Sequence, residues 1–467
     1  MPFLSSNYAD NQKMIEDAIG FGKAFDCKKR ALTVGGKAAT LYFISTLSGD
    51  GLLGDLVYRY QTLPAPTGEL TVPMLFATLV PYGDATAETD LDNIARMILS
   101  GASVLIVEGL NTAVITDTRS LPSRSAEEPD NDRVLYGARD GFNEILKNNI
   151  AMLRRRLRSP TLTVYRVTVG KVSRTDVAIV YDEAKADPQY VAMIKKKVEA
   201  IEVDCLTVGP QSLAECLIKR RWFNVFPKFR YTERPDTAAA QLTEGSIVIL
   251  CDTAPQAMLL PTSIFDFTQE SDDYYFPPLI GTYQRFVRTL IFFLTLFFAP
   301  LWYLLVTHPH LIPPFLDFIK VEGAPALPIF FQILIVELLL DGLRLASLNT
   351  PSTLGSSLSV VAGLILGDFA VDVGWFIPEV ILYMAFVAIS NFSQPSFELG
   401  YAFKFLRIML LILVGFFGIP GFVIGVLLIL FILASNKSLD GSRSYLYPLI
   451  PFNGKALLRH LFRFKLK

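Results

Sequence analysis

The chain has 467 residues, enough for about three domains of roughly 150 residues each. Its 43 basic and 44 acidic side chains leave a formal net charge of −1, so the composition offers no support for nucleic-acid binding. The four cysteines lack CxxC spacing and there are only three histidines. We therefore expect no disulfide, no metal site and no cofactor.

The apolar residues are distributed unevenly. Residues 1–284 are ordinarily charged, whereas the region that follows contains long apolar runs such as LIFFLTLFFAPLWYLLV. This pattern predicts an α+β soluble N-terminal region of two small subdomains, followed by an α-helical polytopic membrane domain of about four to six segments. The N-terminus lacks the apolar segment of a signal peptide, so we expect the soluble region to stay in the cytosol. The predicted divisions are 1–125 and 126–284 (cytosolic subdomains), 285–435 (membrane domain) and 436–467 (basic cytosolic tail).

The first subdomain begins with a helical segment, YADNQKMIEDAIGF. The runs KAATLYFIS and ASVLIVEG predict strands, and TAVITD predicts the returning strand of a hairpin across Leu110–Asn111. The polar, proline-containing segment 119–133 predicts a linker or an exposed loop.

The second subdomain begins with a predicted long helix, GFNEILKNNIAMLRRRLRS, that ends at Pro160. Two strands (TLTVYRVTV and TDVAIVYD), two helices (PQYVAMIKKKVEAIEV and SLAECLIKRRWF) and two strands (SIVILCD and AMLLP) predict an α/β or α+β module. The basic side chains of the long helix are either a site for phosphate or anionic headgroups, or a solvated face that pairs with acidic neighbours. These side chains are Arg154, Arg155, Arg156 and Arg158.

No common catalytic motif is present. The chain contains no GxxxxGK[ST], GxGxxG, GxSxG or HExxH sequence. The acid pairs Asp272–Asp273 and Glu127–Glu128 lie in polar segments and predict solvated loop charges. We therefore expect no enzymatic activity and assign no catalytic residue.

Several motifs, in the same order, resemble those of the GerA-type spore germination proteins, the A subunits of germinant receptors. GARDGFNEILKNNIAMLRRRLRS and EGSIVILCDTAPQAMLLP resemble two family segments of the soluble region, and DDYYFPPLIGTYQRFVR resembles the start of the family's membrane region. LNTPSTLGSSLSVVAGLILGDFAVDVG is similar to a further segment within the membrane region. The resemblance extends from about residue 10 to the end of the chain. The matching positions in the soluble region are Gly137, Gly141, Phe142, Glu144, Asn149, Arg154, Arg156, Asp252 and Pro255.

The chain also departs from the receptor pattern. Ala138 stands where the family usually has proline, and Thr253 stands where it usually has glycine. The segments FSQPSFELGYAFKFLRI and SYLYPLIPFNGKALLRHLF resemble a sporulation paralogue within the family more closely than the receptors. The resemblance implies a protein of the spore inner membrane, assembled as an oligomeric ion channel that releases cations early in germination. The implied partners are copies of the chain, other germination proteins of that membrane and the lipid bilayer.

The first predicted membrane span covers residues 289–306. Arg285 and Arg288 precede it, where the positive-inside rule places cytosolic charge at the beginning of a span. Lys404 and Arg407 follow the fourth predicted span and indicate a return to the cytosol. The other predicted spans are 329–348, 356–371 and 376–392.

The last apolar stretch, 405–434, contains Gly-Ile-Pro-Gly in its middle. As one helix it would be about 45 Å long, too long for a hydrocarbon core of about 30 Å. A cytosolic tail after four spans requires an even number of further crossings. The sequence therefore predicts a re-entrant hairpin, or two short half-spans, bent at Pro420.

The second span, IFFQILIVELLLDGLRLASL, carries Glu337, Asp341 and Arg344 on one helix face. These charges can form salt bridges within the face. Alternatively, because two acids and one base leave a negative charge, they can line a hydrated path for cations. Asp368 and Asp372 on the third span would form the opposite wall of that path. A third interpretation is a helix that lies only at the headgroups.

The resemblance, taken together with the charged face, implies two alternative functions. The first is a subunit of an oligomeric channel that releases monovalent cations across the spore inner membrane, since one chain has too few polar faces to enclose a pore. The alternative is a non-conducting scaffold that organises other germination proteins through its cytosolic domain. A secondary transporter is not favoured, because no inverted repeat is evident.

Overall fold

A computed structural model describes most of the chain in two compact units. The units are Met1–Lys219 with Phe229–Pro261, and Arg220–Lys228 with Thr262–Lys467. The predicted domain boundaries stay predictions. The described residues are 3–5, 7–63, 70–79, 85–120, 137–218, 224–270, 272–321, 325–349, 370–436, 439 and 445–464.

The first unit begins with an antiparallel five-stranded sheet in the order β1-β2-β4-β5-β3. Alternate residues of β2 point to opposite faces, so that Tyr42 and Ile44 enter one core and Ala39 and Leu41 enter another. Both faces of β4 are buried, which explains its uninterrupted run SVLIV. The strands are β1 (Cys27–Val34), β2 (Lys37–Ile44), β3 (Ala85–Glu88), β4 (Ser103–Val107) and β5 (Ala113–Thr116). The helices are α1 (Tyr8–Ile19), α2 (Asp50–Thr62), α3 (Val72–Leu79) and α4 (Leu91–Leu99).

A second antiparallel five-stranded sheet follows, in the order β6-β7-β9-β10-β8. Ile150 and Leu153 from the helix before the sheet share one core with Val180 and Leu250 of its central strands. The strands are β6 (Leu162–Val169), β7 (Thr175–Asp182), β8 (Arg230–Thr232), β9 (Ile247–Cys251) and β10 (Ala257–Leu260). The helices are α5 (Leu146–Arg156), α6 (Pro188–Glu199), α7 (Pro210–Leu217) and α8 (Pro235–Thr243).

The predicted fold class is confirmed: two antiparallel sheets with their helices precede a helical region with apolar helices. The seven predicted strand runs correspond to β2, β4, β5, β6, β7, β9 and β10. The prediction missed the strands β1, β3 and β8 and the helices α2, α3, α4 and α8, and it placed the start of α5 five residues too early.

The second unit is helical. Among the described residues, Pro278–Thr307 and Phe397–Ser435 are long and apolar enough to cross a membrane. The predicted span 356–371 lies almost wholly outside the described residues. The helices are α9 (Asp272–Tyr275), α10 (Pro278–Thr307), α11 (Ile329–Asn349), α12 (Ala370–Asp372), α13 (Pro378–Phe392), α14 (Phe397–Ser435) and α15 (Gly454–Leu461). Short 3-10 helices occupy Ile264–Thr268, Pro309–Leu311 and Pro314–Ile319.

Helix α14 reverses direction at Gly418, whose φ of 61° and ψ of −133° are non-helical. A Cβ placed on Gly421 would lie 2.0 Å from the Leu413 carbonyl oxygen, although residues eight apart in a straight helix are separated by about 12 Å. The two arms of α14 therefore pack against each other as a helical hairpin. The predicted bend is confirmed, but it lies at Gly418 and not at Pro420. Pro420 occupies the first turn of the returning arm, where proline is tolerated.

Candidate functional site

A charged cluster lies among the apolar helices of the second unit, and it begins on α11. Glu337 and Asp341 are one helical turn apart on this otherwise apolar helix, so both face the same way. Glu337 is 3% exposed, whereas the Asp341 side chain is 39% exposed. The two carboxylates thus occupy different surroundings on one face.

Helix α14 supplies the opposite charges. Arg407 donates from Nε and Nη2 to the two carboxylate oxygens of Glu337, at 2.7 and 3.0 Å. The Lys404 Nζ lies 3.4 Å from Glu337 Oε2, donates to the Glu337 carbonyl at 3.2 Å, and also pairs with Asp341. We call Glu337, Asp341, Lys404 and Arg407 the charged cluster.

Of the three interpretations of this face, the one that pairs its charges within α11 is wrong. Arg344, the third charge of this face, lies over the Tyr401 and Phe397 rings, 4.7 and 4.9 Å from their centroids, while Asp341 pairs with Lys404. Lys404 and Arg407 are both buried, and the return to the cytosol that they indicate stays a prediction. Two carboxylates and two cations balance, so the net negative charge expected from α11 alone is cancelled.

The charged cluster also binds α10. Arg407 Nη1 donates to the Thr295 carbonyl at 2.6 Å, and Gln394 Nε2 donates to Thr295 Oγ1 at 2.9 Å. Three helices and the turn after α13 are thereby joined through buried polar groups. The sequence prediction did not assign Lys404, Arg407, Thr295 or Gln394 to this site, although it named Lys404 and Arg407 as markers of a return to the cytosol. The spacing of Lys404 and Arg407, three apart beside an apolar run, was the available signal.

The predicted second acidic wall is only partly described. Asp368 lies outside the described residues. Asp372 ends α12 and is exposed. The predicted place of Asp368 and Asp372 in an ion pathway stays a prediction.

A second buried set of charges lies where α10 begins. Asp273 is fully buried and accepts from Arg285 Nε at 3.1 Å and from Arg288 Nη1 and Nη2 at 3.0 and 3.1 Å. Arg288 also donates to Glu270 at 2.7 Å. The interpretation of Asp273 as a solvated loop charge is therefore wrong. Arg285 and Arg288 are neutralised within the chain, and the membrane orientation that they predict stays a prediction.

Arg285 also holds the end of the C-terminal helix. Its Nη1 donates to the carbonyls of Arg459, His460 and Phe462, at 2.8, 3.3 and 3.4 Å. These carbonyls lie in the last turn of α15 and at the residue that follows it, where helix carbonyls lack intrahelical partners and a cation is favourable. The C-terminal segment is thus docked against the start of α10.

We expect this docking to depend on pH through His460. Burial lowers the pKa of His460 from its ordinary value of 6.5, Asp266 opposes the shift and Arg285 adds to it. A released segment binds the proton more tightly, so docking is strongest above about pH 6.5 and weakens by up to about tenfold per pH unit below it. Hydrogen exchange of the α15 amides should therefore accelerate as the pH falls, after correction for intrinsic rates. His460→Gln should remove this dependence and the matched His310→Gln should keep it; equal behaviour of the two variants would contradict the prediction.

The family-motif residues of the first unit shape the segment before α5. Asn149 accepts from the Asn143 amide at 2.8 Å and donates to the Asn143 carbonyl at 2.6 Å. Asp252 accepts from the Leu146 amide at 3.1 Å, and Thr253 donates its amide to the Glu144 carbonyl. These bonds hold residues 143–145 outside the helix, which explains why α5 begins later than predicted.

Other matched positions are structural too. Phe142 is buried and donates its amide to the Glu233 carbonyl at 2.8 Å, and Gly137 has a φ of 120°, which favours glycine. Gly141 precedes Phe142 in the same segment, and Pro255 lies in the turn between β9 and β10. These matched positions therefore lie in the segments that connect the helices and strands of the second sheet.

The basic run on α5 divides into two kinds of residue. Arg154 is 2% exposed and donates from Nε and Nη2 to the fully buried Asp26, at 3.0 and 2.9 Å. Arg156 is partly exposed and pairs with Asp140 at 2.6 Å. Arg154 therefore belongs neither to a headgroup-binding site nor to a solvated helix face. It forms a buried ion pair with Asp26. Pairing with an acidic neighbour is confirmed for Arg156.

Comparison with known proteins gives concordant matches. Residues 14–467 match the family model described as Bacillus/Clostridium GerA spore germination protein. The chain is similar to stage V sporulation protein AF of Bacillus subtilis (strain 168), with 38% identity over 98% of this chain and 92% of that protein. It is similar to spore germination protein KA of the same organism, with 28% identity over 99% of this chain and 84% of that protein. Among solved structures, the N-terminal domain of the A subunit of the Bacillus megaterium spore germinant receptor GerK3 matches with a TM-score of 0.42 and 22% identity, over 55% of this chain and 96% of that chain.

Proposed function

Because this chain belongs to the GerA family of spore germination proteins, we propose that it is a subunit of an oligomeric ion channel in the spore inner membrane. The channel releases monovalent cations during germination and works beside other germination proteins of that membrane. The role is non-enzymatic. The first unit and the basic C-terminal segment lie on the cytosolic side, and the apolar helices cross the bilayer several times.

The outer surfaces of the apolar helices support a bilayer location. Phe293 on α10, Leu338 on α11, Phe386 on α13 and Phe416 on α14 are 60, 72, 52 and 77% exposed. Apolar surface is unfavourable in water by about 25 cal/mol per Å². Extended apolar surfaces of this kind are typical of membrane or subunit contacts.

The observation that carries the proposal is the difference between the two acids of the charged cluster. Glu337 is bound on both oxygens by Arg407, so it holds α11 against α14. Asp341 is part of the same network yet leaves 39% of its side chain exposed. A partly exposed carboxylate among apolar helices attracts cations, and the buried pair beside it fixes its position.

A conducting path of this kind requires several subunits. Each chain contributes the charged face of α11, and a pore is enclosed when copies of that face surround an axis. The exposed Asp341 and Asp372 are the acids that we assign to the shared path, with Asp368 as the further acid of the predicted third span. The buried Glu337 and the half-buried Arg344 position α11 rather than contact the ion.

The test is potassium efflux from liposomes that contain the purified protein. Removing one unit charge beside a hydrated path changes the energy of the ion by about 1 kcal/mol, so Asp341→Asn should lower efflux about fivefold. Asp372→Asn should act in the same direction. The matched control is Asp317→Asn, which should leave efflux unchanged. This carboxylate lies in the 3-10 helix Pro314–Ile319, is 59% exposed and is paired with Lys320.

The alternative is a non-conducting scaffold, and the charge balance of the cluster within one chain favours it. Liposomes without efflux, from a protein that is a strict monomer in mild detergent, would support the scaffold and contradict the channel. Efflux that Asp341→Asn and Asp317→Asn affect equally would contradict the assigned pathway.

A further inference from the structure

The C-terminal segment presents an apolar and basic surface that the charged cluster does not use. Residues 445–464, which we call the tail segment, expose large apolar side chains around α15. Phe452 is 74% exposed, Phe464 is 59% exposed, and Leu458 and Phe462 are each close to half exposed. Such exposure on a short segment requires an apolar partner.

The helix of this segment is amphipathic in a specific way. Leu458 and Leu461 are three residues apart and share one face, and Lys455 and Arg459, four residues apart, flank it. Both basic side chains are exposed. His460 faces the opposite way, against the Phe265 ring at 5.7 Å between centroids. The exposed side of α15 therefore combines apolar side chains with positive charge.

The position of the tail segment is fixed beside the first apolar helix. Arg285 of α10 donates to the last carbonyls of α15, and the Arg463 amide donates to Thr282 Oγ1 at 3.2 Å. The first turns of α10 also expose aromatic side chains, with Tyr283 67% and Phe286 69% exposed. Aromatic residues at the ends of apolar helices are typical of the membrane–water interface.

We propose that the tail segment lies on the bilayer and binds anionic lipid headgroups beside the start of α10. The apolar side chains of α15 enter the boundary between headgroups and acyl chains, and Lys455 and Arg459 contact the lipid phosphates. Charge complementarity selects an anionic lipid surface as the partner. This inference rests on the proposed membrane location.

The test is hydrogen exchange of the full-length protein in two kinds of nanodisc, one of phosphatidylcholine and one that also contains phosphatidylglycerol. Each basic group near an anionic surface contributes about 1 kcal/mol, so α15 amides should exchange at least about tenfold more slowly in the anionic nanodiscs. Lys455→Gln/Arg459→Gln should abolish this difference. The matched control Lys37→Gln/Lys171→Gln removes two exposed charges from the first unit and should retain it.

The outcomes separate this inference from the proposed function. Protection of α10 in both nanodiscs, with α15 exchange that does not depend on lipid charge, would overturn the tail proposal alone. Exchange of α15 that depends on the number of protein copies per disc would assign the surface to a subunit contact and would also overturn it. Unprotected α10 amides in both lipids would overturn the membrane location together with the tail proposal.

Discussion

Arg407→Met is expected to destabilise the second unit by about 3 kcal/mol, because Glu337 would stay buried without its bidentate partner. Breaking a buried pair by removing one partner typically costs about 3–5 kcal/mol. The lower end applies here because Lys404 Nζ, 3.4 Å from Glu337 Oε2, retains part of the compensation. The measurement is the free energy of unfolding in mixed detergent micelles, followed by the fluorescence of the buried Trp302.

Two further variants make this result specific to the ion pair. Glu337→Gln/Arg407→Met removes both charges and should recover at least about 2 kcal/mol relative to the sum of the single losses. Arg344→Met is the matched control on the neighbouring helix, and loss of its ring contacts should cost about 1 kcal/mol or less. Equal costs for Arg407→Met and Arg344→Met would contradict a buried pair between α11 and α14.

Variants of the charged cluster distinguish the residues that stabilise the helix packing from the residue that contacts the ion. Glu337 and Arg407 are buried and saturate each other, so we expect their loss to lower efflux only as far as it lowers stability. Asp341 is partly exposed, so its neutralisation should lower efflux with little change in stability. The two acids on this face of α11 thus have different roles. Glu337 holds α11 against α14, and Asp341 contributes to the proposed ion path.

The sheets were predictable where a strand is covered on at least one face. KAATLYFIS, ASVLIVEG and SIVILCD are apolar runs, and each becomes a central strand. Strand β1, CKKRALTV, was missed because five of its residues are exposed and three of these are basic. Strands β3 and β8 lie at sheet edges and have only four and three residues. Their pairing is decided by tertiary contacts, which local patterns do not record.

The partners of the charged cluster could not be predicted from α11 alone. Helical spacing identifies which residues share a face, and it gave the right face for Glu337 and Asp341. The nearest opposite charge in sequence was Arg344, yet the partner of Glu337 is Arg407, seventy residues further along. Sequence separation carries no information about such a contact, and the same holds for the pairing of Arg154 with Asp26.

The bend in the last apolar stretch was predictable from length, but its geometry was not. Proline and glycine in the middle of the stretch indicated a break. The two arms pack closely because small residues on the returning arm allow the backbones to approach each other. A sequence pattern identifies these residues as packing positions only once the reversal of the helix is known. Gly421 and Gly425 lie on the returning arm and face the first arm at Leu413 and Leu410.

Gly421→Ala is accordingly expected to destabilise the hairpin by about 3 kcal/mol or more, the upper range for overpacking. Its Cβ would lie 2.0 Å from the Leu413 carbonyl oxygen, a backbone atom that cannot turn aside. The two arms of α14 would have to separate, and the contacts between Leu410 and Gly425 would be lost with them. The measurement is again the free energy of unfolding in mixed micelles, with potassium efflux as a second readout.

Two other glycines provide graded controls for this prediction. At Gly425 an added Cβ would meet the Leu410 Cδ1 at 2.4 Å, the end of a flexible side chain, so Gly425→Ala should cost less. At Gly342 of α11 the added Cβ meets no heavy atom of the described residues within 4 Å, apart from the neighbouring backbone of its own helix. Alanine there should stabilise the helix by about 0.5–1 kcal/mol. The hairpin requires the order Gly421, Gly425, Gly342 from most to least destabilising. A Gly421→Ala protein as stable as the Gly342→Ala protein would mean that the arms do not pack, and residues 405–434 would then form a single long helix.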